Sequence, residues 1–373
     1  MKSFKILVIP GDGIGPEVTR EAVKIVSWIS NAGLLKFELE SDLAGGAAID
    51  AFGVPVRPET IARARESDAV LFGSVGGPKW DGKVPFENRP ELGVLTFRRE
   101  LELFANLRPA KCFPALAGSS TLRQEVIEGL DMMIVRELTG GVYFNDPKFI
   151  ESLPDGQVAA TDTQRYTTSE IQRIGRVAFE LARTRRNKVT SVEKRNVMKS
   201  GVLWHQVMTQ LQAEEYPDVE LEHHLADACG MQLVRAPKQY DVLVMDNLFG
   251  DLLSDVAAML TGSIGMLPSA ALGAPDAVTG KRNALYEPIH GSAPDIAGKD
   301  LANPIAAIGS LSMALRHSFE RADIADRLDI AVGNVLASGI RTGDIRSTAS
   351  EVVGTVGMGD AVLRAFQKEC ESL

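Results

Sequence analysis

The sequence is poor in cysteine and histidine and contains no long apolar run. Its three cysteines, Cys112, Cys229 and Cys370, lie far apart and form no CxxC pair or zinc-ligand spacing, so we expect a reducing compartment. The five histidines show no zinc-protease spacing, which argues against a zinc site. No stretch reaches the roughly 18 apolar residues that predict a membrane-spanning helix. The apolar part of residues 1–9 is too short for a signal peptide, and we expect a cytoplasmic protein.

An excess of positive charge is also absent. The formal net charge is −9, and like charges form no long run, which argues against nucleic acid or an anionic membrane as the main partner. An anionic substrate would therefore need local positive charge. The chain has 373 residues, of which 45% are hydrophobic. Because a single core usually divides above roughly 250–300 residues, we expect two domains.

What the sequence does contain is an alternation of short apolar runs and helical patterns. Residues 4–9 form an apolar run, and Pro16 can begin the following helix because its missing N–H is not needed in the first turn. Strand-like runs recur at 69–72, 132–135, 189–192 and 241–245, and helical patterns at 170–183 and 302–317. This alternation predicts an α/β fold with a largely parallel sheet.

Polar residues follow several of these apolar runs. Arg136, Lys194 and the pair Asp246 and Asn247 come after predicted strands, and ligands gather at the carboxyl ends of strands in α/β sheets. Most lysines are solvated, although a lysine near a metal or in a dry site can lose its proton near neutral pH. A tyrosine between two apolar residues, such as Tyr143, is usually a core residue whose hydroxyl is satisfied by a neighbour.

Two carboxylates stand four residues apart in the segment Asn247-Leu-Phe-Gly-Asp-Leu-Leu-Ser-Asp255. On a helix, Asp251 and Asp255 would share one face, and like charges at this spacing cost roughly 0.2–0.5 kcal/mol even when solvated. Their apolar neighbours predict burial, which would increase that cost. A divalent cation with hard oxygen ligands would remove it, so the pair predicts a metal site.

Three arginines and one further acid are candidates for the same site. The guanidinium groups of Arg98, Arg108 and Arg136 match a carboxylate in two-point geometry, and a small dianionic acid would need two or three of them. A surface salt bridge is the alternative for any one arginine alone. Asp227, taken alone, could equally cap a helix. As a third carboxylate, with substrate oxygens and water, it would complete an octahedron around Mg²⁺ or Mn²⁺.

Two irregular segments are rich in turn residues. The first, residues 76–91, follows a predicted strand, and long loops are often functional; a plain surface loop is the alternative. The second, residues 287–298, contains Asp295, and an acid beside an adenosine ribose would favour NAD over NADP; an acid that caps a turn is the alternative. The motif Gly11-Asp-Gly-Ile-Gly15 has GxGxG spacing, so we interpret it as a tight strand-to-helix turn rather than a standard Rossmann site.

Together, these segments resemble the family of β-decarboxylating 2-hydroxyacid dehydrogenases that includes the isocitrate and 3-isopropylmalate enzymes, with the isopropylmalate branch the more similar. The motifs that carry the resemblance are Gly11-Asp-Gly-Ile-Gly15, Arg89-Pro-Glu-Leu-Gly-Val-Leu-Thr-Phe-Arg98, Phe104-Ala-Asn-Leu-Arg-Pro109, Arg136-Glu-Leu-Thr-Gly-Gly-Val-Tyr143, Asn247-Leu-Phe-Gly-Asp251 and Glu287-Pro-Ile-His-Gly-Ser-Ala-Pro-Asp295. They occur in order and span essentially the whole chain.

The resemblance implies a non-Rossmann fold of the isocitrate/isopropylmalate dehydrogenase type, with two α/β domains of parallel or mixed sheet and a cleft between them. A discontinuous nucleotide-binding domain would comprise residues 1–103 and 262–373. Residues 104–261 would form the domain for substrate, metal and dimer contacts. The resemblance further implies a homodimer with shared active sites.

The resemblance also implies a role for each candidate residue. Substrate would contact Arg98, Arg108, Arg136 and Asp227, with Glu91, Val94 and Leu95 around its side chain. Asp251 and Asp255 would bind Mg²⁺ or Mn²⁺ with Asp227 of the partner subunit. Tyr143 and the partner's Lys194 would transfer protons. NAD would contact Ile14, Gly77, Glu91, Glu287, His290, Gly291, Ser292, Ala293, Asp295 and Asn303.

The implied reaction is the NAD-dependent oxidative decarboxylation of 3-isopropylmalate in leucine biosynthesis. D-malate, tartrate and homoisocitrate are alternative substrates, because a small apolar pocket discriminates by only about 1–3 kcal/mol. Departures from the commoner family pattern, none of which removes a catalytic group, are Val94, Asn145, Glu193, Arg195 and the run Ala228-Cys-Gly230. A catalytically silent regulatory subunit is a further alternative, but such a subunit would be expected to lose metal or base residues that this chain retains.

Overall fold

The computed structural model describes residues 3–118, 120, 122–348 and 350–371. In these residues the strands are β1 (Ser3–Gly11), β2 (Lys36–Ser41), β3 (Ala69–Ser74), β4 (Ala105–Lys111), β5 (Asp131–Glu137), β6 (Phe149–Ser152), β7 (Val158–Thr161), β8 (Lys188–Glu193), β9 (Glu220–Leu225), β10 (Val242–Met245), β11 (Pro268–Leu272), β12 (Ala284–Pro288), β13 (Ile340–Arg341) and β14 (Glu351–Val352).

The helices alternate with these strands along most of the chain. They are α1 (Gly15–Asn31), α2 (Gly46–Phe52), α3 (Pro58–Glu66), α4 (Glu91–Glu100), α5 (Gln124–Ile127), α6 (Thr168–Arg183), α7 (Lys199–Glu215), α8 (Ala226–Arg235), α9 (Asn247–Ala258), α10 (Ile305–His317), α11 (Ala322–Ala337) and α12 (Thr355–Cys370). The strands and helices predicted from the apolar pattern are confirmed, with small shifts at their ends.

The chain divides into two compact units. The first unit comprises residues 1–103, 111–129 and 258–373, and the second comprises 104–110 and 130–257. The expected boundaries differ from this division in two places. Residues 111–129 belong to the first unit, where the carbonyl of Ala115 accepts a hydrogen bond from Arg341 and Ser120 donates to the carbonyl of Met259. The later boundary falls at 258 rather than 262.

The first unit contains a sheet with the strand order β2-β1-β3-β12-β11. Its strands are parallel except for β11, which runs antiparallel to β12. Helix α1 shows how the sequence builds this unit. Pro16 occupies its first turn, and Val18, Ala22, Ile25 and Ile29 are fully buried along one side, as helical spacing requires.

The second unit contains β4 beside β5, followed by β10, β8 and β9, with β5, β10, β8 and β9 all parallel. Helix α6 begins with a capping box, in which Thr167 and Glu170 satisfy each other's backbone N–H groups. Strands β6 and β7 form a separate antiparallel hairpin. Because β5, β8 and β10 are parallel, Arg136, Lys194 and Asp246 lie at or beyond the same edge of their sheet.

No helix in the described parts of the chain combines the length and the apolar character that a membrane crossing requires.

Candidate active site

The carboxylate pair lies on α9, as the spacing predicts. Asp246 precedes this helix and caps it, since its Oδ1 accepts a hydrogen bond from the backbone N–H of Phe249 over 2.9 Å. The expected burial of the pair is wrong, because the Asp255 side chain is 62% exposed and the neighbouring Leu252 is 58% exposed. The buried side of α9 is instead the one that carries Leu253.

Two buried arginines face the acids of α9. Arg136, at the end of β5, donates to Oδ1 of Asn247 through Nε at 2.9 Å and Nη2 at 2.7 Å, and forms an ion pair with Asp251. Arg108 of β4 lies 3.7 Å from Asp251 and 3.8 Å from Asp255. Desolvation raises the pKa of Asp255, and repulsion from Asp251 adds to this, while the charge of Arg108 opposes it. The arginines thus offset the repulsion between the acids and present positive charge at the same place.

Tyr143 completes this cluster. It ends the short 3-10 turn Gly141–Tyr143, and its hydroxyl donates to Oδ2 of Asp251 over 3.1 Å. Burial raises the pKa of Tyr143, and the negative charge of Asp251 raises it further. The phenol therefore keeps its proton at neutral pH and can act as an acid.

Lys194 and Asp227 form a separate pair in the second unit. Lys194 follows β8, Asp227 lies in the first turn of α8, and Nζ is 2.7 Å from Oδ1. The hydrogen bond from Lys194 lowers the pKa of Asp227. No group of three His, Cys, Asp or Glu side chains is close enough to hold a metal ion in the described part of the chain. Asp251 and Asp255 supply hard oxygen donors of the kind that suits Mg²⁺ or Mn²⁺.

The remaining predicted substrate residues lie in the first unit on α4, which carries Glu91, Val94, Leu95 and Arg98. Arg98 donates from Nη2 to Oε1 of Glu287 over 2.7 Å, and both side chains are mostly buried. This contact joins a predicted substrate residue to a predicted cofactor residue. Val94 is buried and Leu95 is half-buried, so of these two residues it is Leu95, three positions before Arg98, that exposes apolar surface.

The loops predicted to contact the nucleotide come together in the first unit. The backbone N–H of Ile14 donates to the carbonyl of Ser292 over 2.8 Å. Gly13 has a φ of +58°, and a Cβ there would lie 2.0 Å from the Ser292 carbonyl oxygen, so only glycine permits this approach. The turn 10–15 and the segment 287–298 are therefore parts of one surface.

Further predicted cofactor residues also lie in the first unit. His290 is buried, and burial lowers its pKa; its Nδ1 lies 2.9 Å from the carbonyl of Gly291, whereas its Nε2 has no hydrogen-bond partner among the described residues. Asn303 donates to Asp344 over 3.0 Å. Asp295 is exposed, as an acid that binds ribose hydroxyls would need to be. Ala293 has a φ of +37°, and Gly77 adjoins Trp80.

One organising residue of this surface was missed from the sequence. The buried carboxylate of Asp12 accepts backbone hydrogen bonds from Gly46 and Ala47 at 2.7 Å and from Gly76 at 2.9 Å. Burial raises its pKa despite these bonds. Asp12 thereby joins the glycine turn, the start of α2 and the loop that follows β3. The feature of the sequence that could have identified Asp12 is its position between two glycines, Gly11 and Gly13.

Comparisons with known proteins agree with this architecture. The family model described as isocitrate/isopropylmalate dehydrogenase matches residues 5–362. The chain belongs to this family. The resemblance drawn from the motifs is thus confirmed, and so is the fold class.

Relatives in this family are similar over nearly their whole length. A 3-isopropylmalate dehydrogenase of Nitrobacter winogradskyi is 62% identical over 367 residues, which is 98% of this chain and 99% of the relative. That of Agrobacterium fabrum is 61% identical over 362 residues, covering 97% and 98%. Among solved structures, an isocitrate dehydrogenase from Methylococcus capsulatus superimposes with a TM-score of 0.83 at 35% identity, covering 98% of this chain and 99% of the other.

Proposed function

We propose that the protein catalyses the NAD-dependent oxidative decarboxylation of 3-isopropylmalate, in leucine biosynthesis. The observation that carries the proposal is the convergence of Arg108, Arg136 and Tyr143 on the two acids of α9. That cluster combines binding groups for carboxylates, donors for a metal and an acid. The high identity to 3-isopropylmalate dehydrogenases supports the same substrate.

The donor set fits Mg²⁺ or Mn²⁺, held by Asp251 and Asp255 together with Asp227 of the partner subunit. When bound, such an ion polarises the substrate oxygens and lowers the pKa of the C2 hydroxyl. Arg108 and Arg136 hold the substrate carboxylates, and Arg98 contributes from α4. Their guanidinium groups suit this role because each can bind a carboxylate through two hydrogen bonds.

The chain's own groups move the protons. The partner's Lys194 accepts the proton of the C2 hydroxyl, directly or through a water. Bound NAD would supply the hydride acceptor for C2, so that the C2 alcohol becomes the carbonyl of a 2-oxo acid. The bond from C3 to its carboxylate then breaks, CO₂ leaves, and Tyr143 donates its proton to C3 of the resulting enolate. The proton lost by Tyr143 balances the proton that the partner's Lys194 took from the C2 hydroxyl. Hydride, carbon dioxide and both protons are thus accounted for.

We infer NAD rather than NADP from the first unit. Asp295 lies exposed on the segment 287–298, which contacts the glycine turn through Ser292. A carboxylate at this position would accept hydrogen bonds from the ribose hydroxyls of NAD and would repel the 2′-phosphate of NADP. Glu91, Val94 and Leu95 would surround the substrate side chain. An apolar face suits an isopropyl group and offers no partner to a third carboxylate.

We further propose a homodimer with shared sites. Lys194 and Asp227 are paired with each other, whereas Tyr143 and the arginines surround the acids of α9. On α8 and α9, Met231 is 67% exposed and Leu252 58% exposed, and large exposed apolar side chains of this kind suit an interface. In a two-fold dimer each contact occurs twice, so α8 of one copy beside α9 of the other would bring Asp227 and Lys194 to Asp251.

The deciding experiment is steady-state turnover on 3-isopropylmalate, D-malate, tartrate and homoisocitrate, with Mn²⁺ and either NAD or NADP. We expect the highest kcat/KM for 3-isopropylmalate with NAD. Higher kcat/KM on D-malate would overturn the substrate assignment while leaving the reaction type intact. No turnover on any substrate would instead favour a silent regulatory subunit.

A further inference from the structure

The turn that carries Tyr143 has little regular structure of its own. It is a single 3-10 turn between β5 and β6, and Gly141 has a φ of +69°. Neither a strand nor a helix fixes the phenol, although its hydroxyl must remain within hydrogen-bond distance of Asp251. Something outside the turn must therefore hold it in place.

The segment 164–166 holds the turn from outside. Oε1 of Gln164 accepts a hydrogen bond from the backbone N–H of Val142 over 2.7 Å. Nδ2 of Asn145 donates to the carbonyl of Arg165 over 2.8 Å. The ring of Tyr166 closes the arrangement, because a Cβ on Gly141 would lie 2.4 Å from the Tyr166 hydroxyl oxygen.

The same segment holds the start of α9. Nε2 of Gln164 donates to Oδ2 of Asp246 over 2.8 Å, and the other oxygen of Asp246 caps the helix at Phe249. The hydroxyl of Tyr166 accepts from the backbone N–H of Asn247 over 3.0 Å. Gln164 thus bridges the turn of Tyr143 and the helix of Asp251, the two elements whose side chains meet in the site.

The chemistry of this bridge requires an amide. Its oxygen must accept from a backbone N–H while its nitrogen donates to an ionised carboxylate. Asp246 is only 7% exposed, so a carboxylate at position 164 would face a buried carboxylate, which is strongly unfavourable. An amide at position 246 would likewise be unfavourable. Its NH₂ group would face the NH₂ group of Gln164, and rotation of the Gln164 amide to avoid this would break its hydrogen bond with Val142.

We propose that Gln164, through its hydrogen bonds to Val142 and Asp246, is a positioning residue for the protonation step. The proposal rests on the proposed role of Tyr143. By fixing the turn against α9, Gln164 keeps the Tyr143 hydroxyl within reach of C3, the carbon that is protonated after CO₂ has left. Hydride transfer precedes this step and does not use the phenol, so loosening of the turn slows the steps after hydride transfer more than hydride transfer itself.

A reciprocal exchange tests the bridge. Gln164→Glu and Asp246→Asn each break its complementarity, and we expect each to lower kcat about 10–100-fold, with KM for substrate changed less than about threefold. The double variant restores complementarity, because the new amide at 246 can donate to the new carboxylate at 164 while the latter still accepts from Val142. We expect its kcat within about threefold of wild type. A double variant as slow as the single variants would overturn the proposal.

Transient kinetics distinguish positioning from general damage. In each single variant, rapid mixing with NAD, Mn²⁺ and 3-isopropylmalate should give a burst of about one NADH per site followed by slow turnover. Loss of the burst amplitude would show that the site itself is damaged and would contradict the proposal. Gln210→Glu is the matched control, because Gln210 also donates to a carboxylate, that of Glu214, over 2.8 Å on the surface of α7. It should behave as wild type.

Tyr143→Phe separates this inference from the proposed function. If Tyr143→Phe retains full turnover, the role assigned to Tyr143 fails, and the positioning role fails with it. If Tyr143→Phe shows the burst and slow turnover while Gln164→Glu behaves as wild type, only the positioning role fails. If the role of Tyr143 and the positioning role of Gln164 are both correct, the double variant Tyr143→Phe with Gln164→Glu should have the same kcat as Tyr143→Phe alone. The hydroxyl that Gln164 positions is already absent in that background.

Discussion

The hydroxyl of Tyr143 donates a hydrogen bond to Oδ2 of Asp251, with 3.1 Å between the two oxygens. Oδ1 of the same carboxylate pairs with Arg136. One acid thus contacts a proton donor through one oxygen and a carboxylate-binding group through the other. If Asp251 also binds the metal, a single side chain determines the positions of three groups. These are the proton donor, the arginine that binds the substrate carboxylate, and the metal.

Replacement of that acid should abolish turnover without unfolding the protein. Asp251→Asn removes the charge and one metal donor, and we expect kcat to fall at least about 100-fold. Binding of Mn²⁺, followed by electron paramagnetic resonance, should weaken in parallel. Asp326→Asn is the control, because Asp326 lies exposed on α11 and pairs with Arg316. Unchanged Mn²⁺ affinity in Asp251→Asn would contradict the metal assignment.

Shared sites predict complementation between inactive variants. Lys194→Met removes the base that each chain supplies to its partner, and Asp251→Asn removes the acid that each chain keeps. In a mixed dimer one site is intact and the other lacks both groups, so equal mixing should restore about a quarter of the wild-type activity. Steady-state assays after joint refolding measure this. If the mixture stays as inactive as either variant, Lys194 and Asp251 serve the same chain's site.

The exposed apolar surface of α9 predicts how the dimer can be broken. Leu252→Glu places a charge where a second copy would bury a leucine, and we expect the dissociation constant to rise at least about 100-fold. Analytical ultracentrifugation should then detect monomers, and activity should fall with the dimer fraction. Ile330→Glu on α11 is the matched control, since Ile330 is also half exposed. A dimer that survives Leu252→Glu would place the interface elsewhere.

The sequence predicted the elements whose signal is local. The apolar runs located β3, β5 and β8, the spacing of Asp251 and Asp255 placed both acids on one helix, and long motifs identified the family. The burial of the acid pair was mispredicted because exposed apolar residues of a helix can have the same sequence pattern as those that face a core. Leu252 and Leu253 are indistinguishable in sequence, yet only Leu253 is buried within the chain.

Other features depend on contacts between distant residues. Gln164 is an ordinary polar residue in an irregular segment, and its partner Asp246 is 82 residues away. No periodicity or motif reports such a pair. The same holds for residues 111–129, whose place in the first unit depends on contacts with residues as far along the chain as Arg341.

The buried carboxyl of Asp246 predicts a pH dependence of stability. Burial raises its pKa from 3.8 to about 6, and repulsion from Glu137 contributes, while the charge of Arg136 opposes it. Because the folded-state pKa exceeds the unfolded value, the folded protein binds this proton more tightly. Stability should therefore decrease as pH rises from about 4 to about 6 and level off above that.

The measurement compares wild type with Asp246→Asn, which cannot titrate at this position. Without metal, the free energy of unfolding in denaturant should be determined at about pH 7.5 and about pH 5. Relative to the variant, the wild type should gain about 1–2 kcal/mol on acidification. The comparison with the variant cancels the contributions of acids that lie away from position 246. A difference between the two proteins that stays constant with pH would show that Asp246 titrates in its ordinary range.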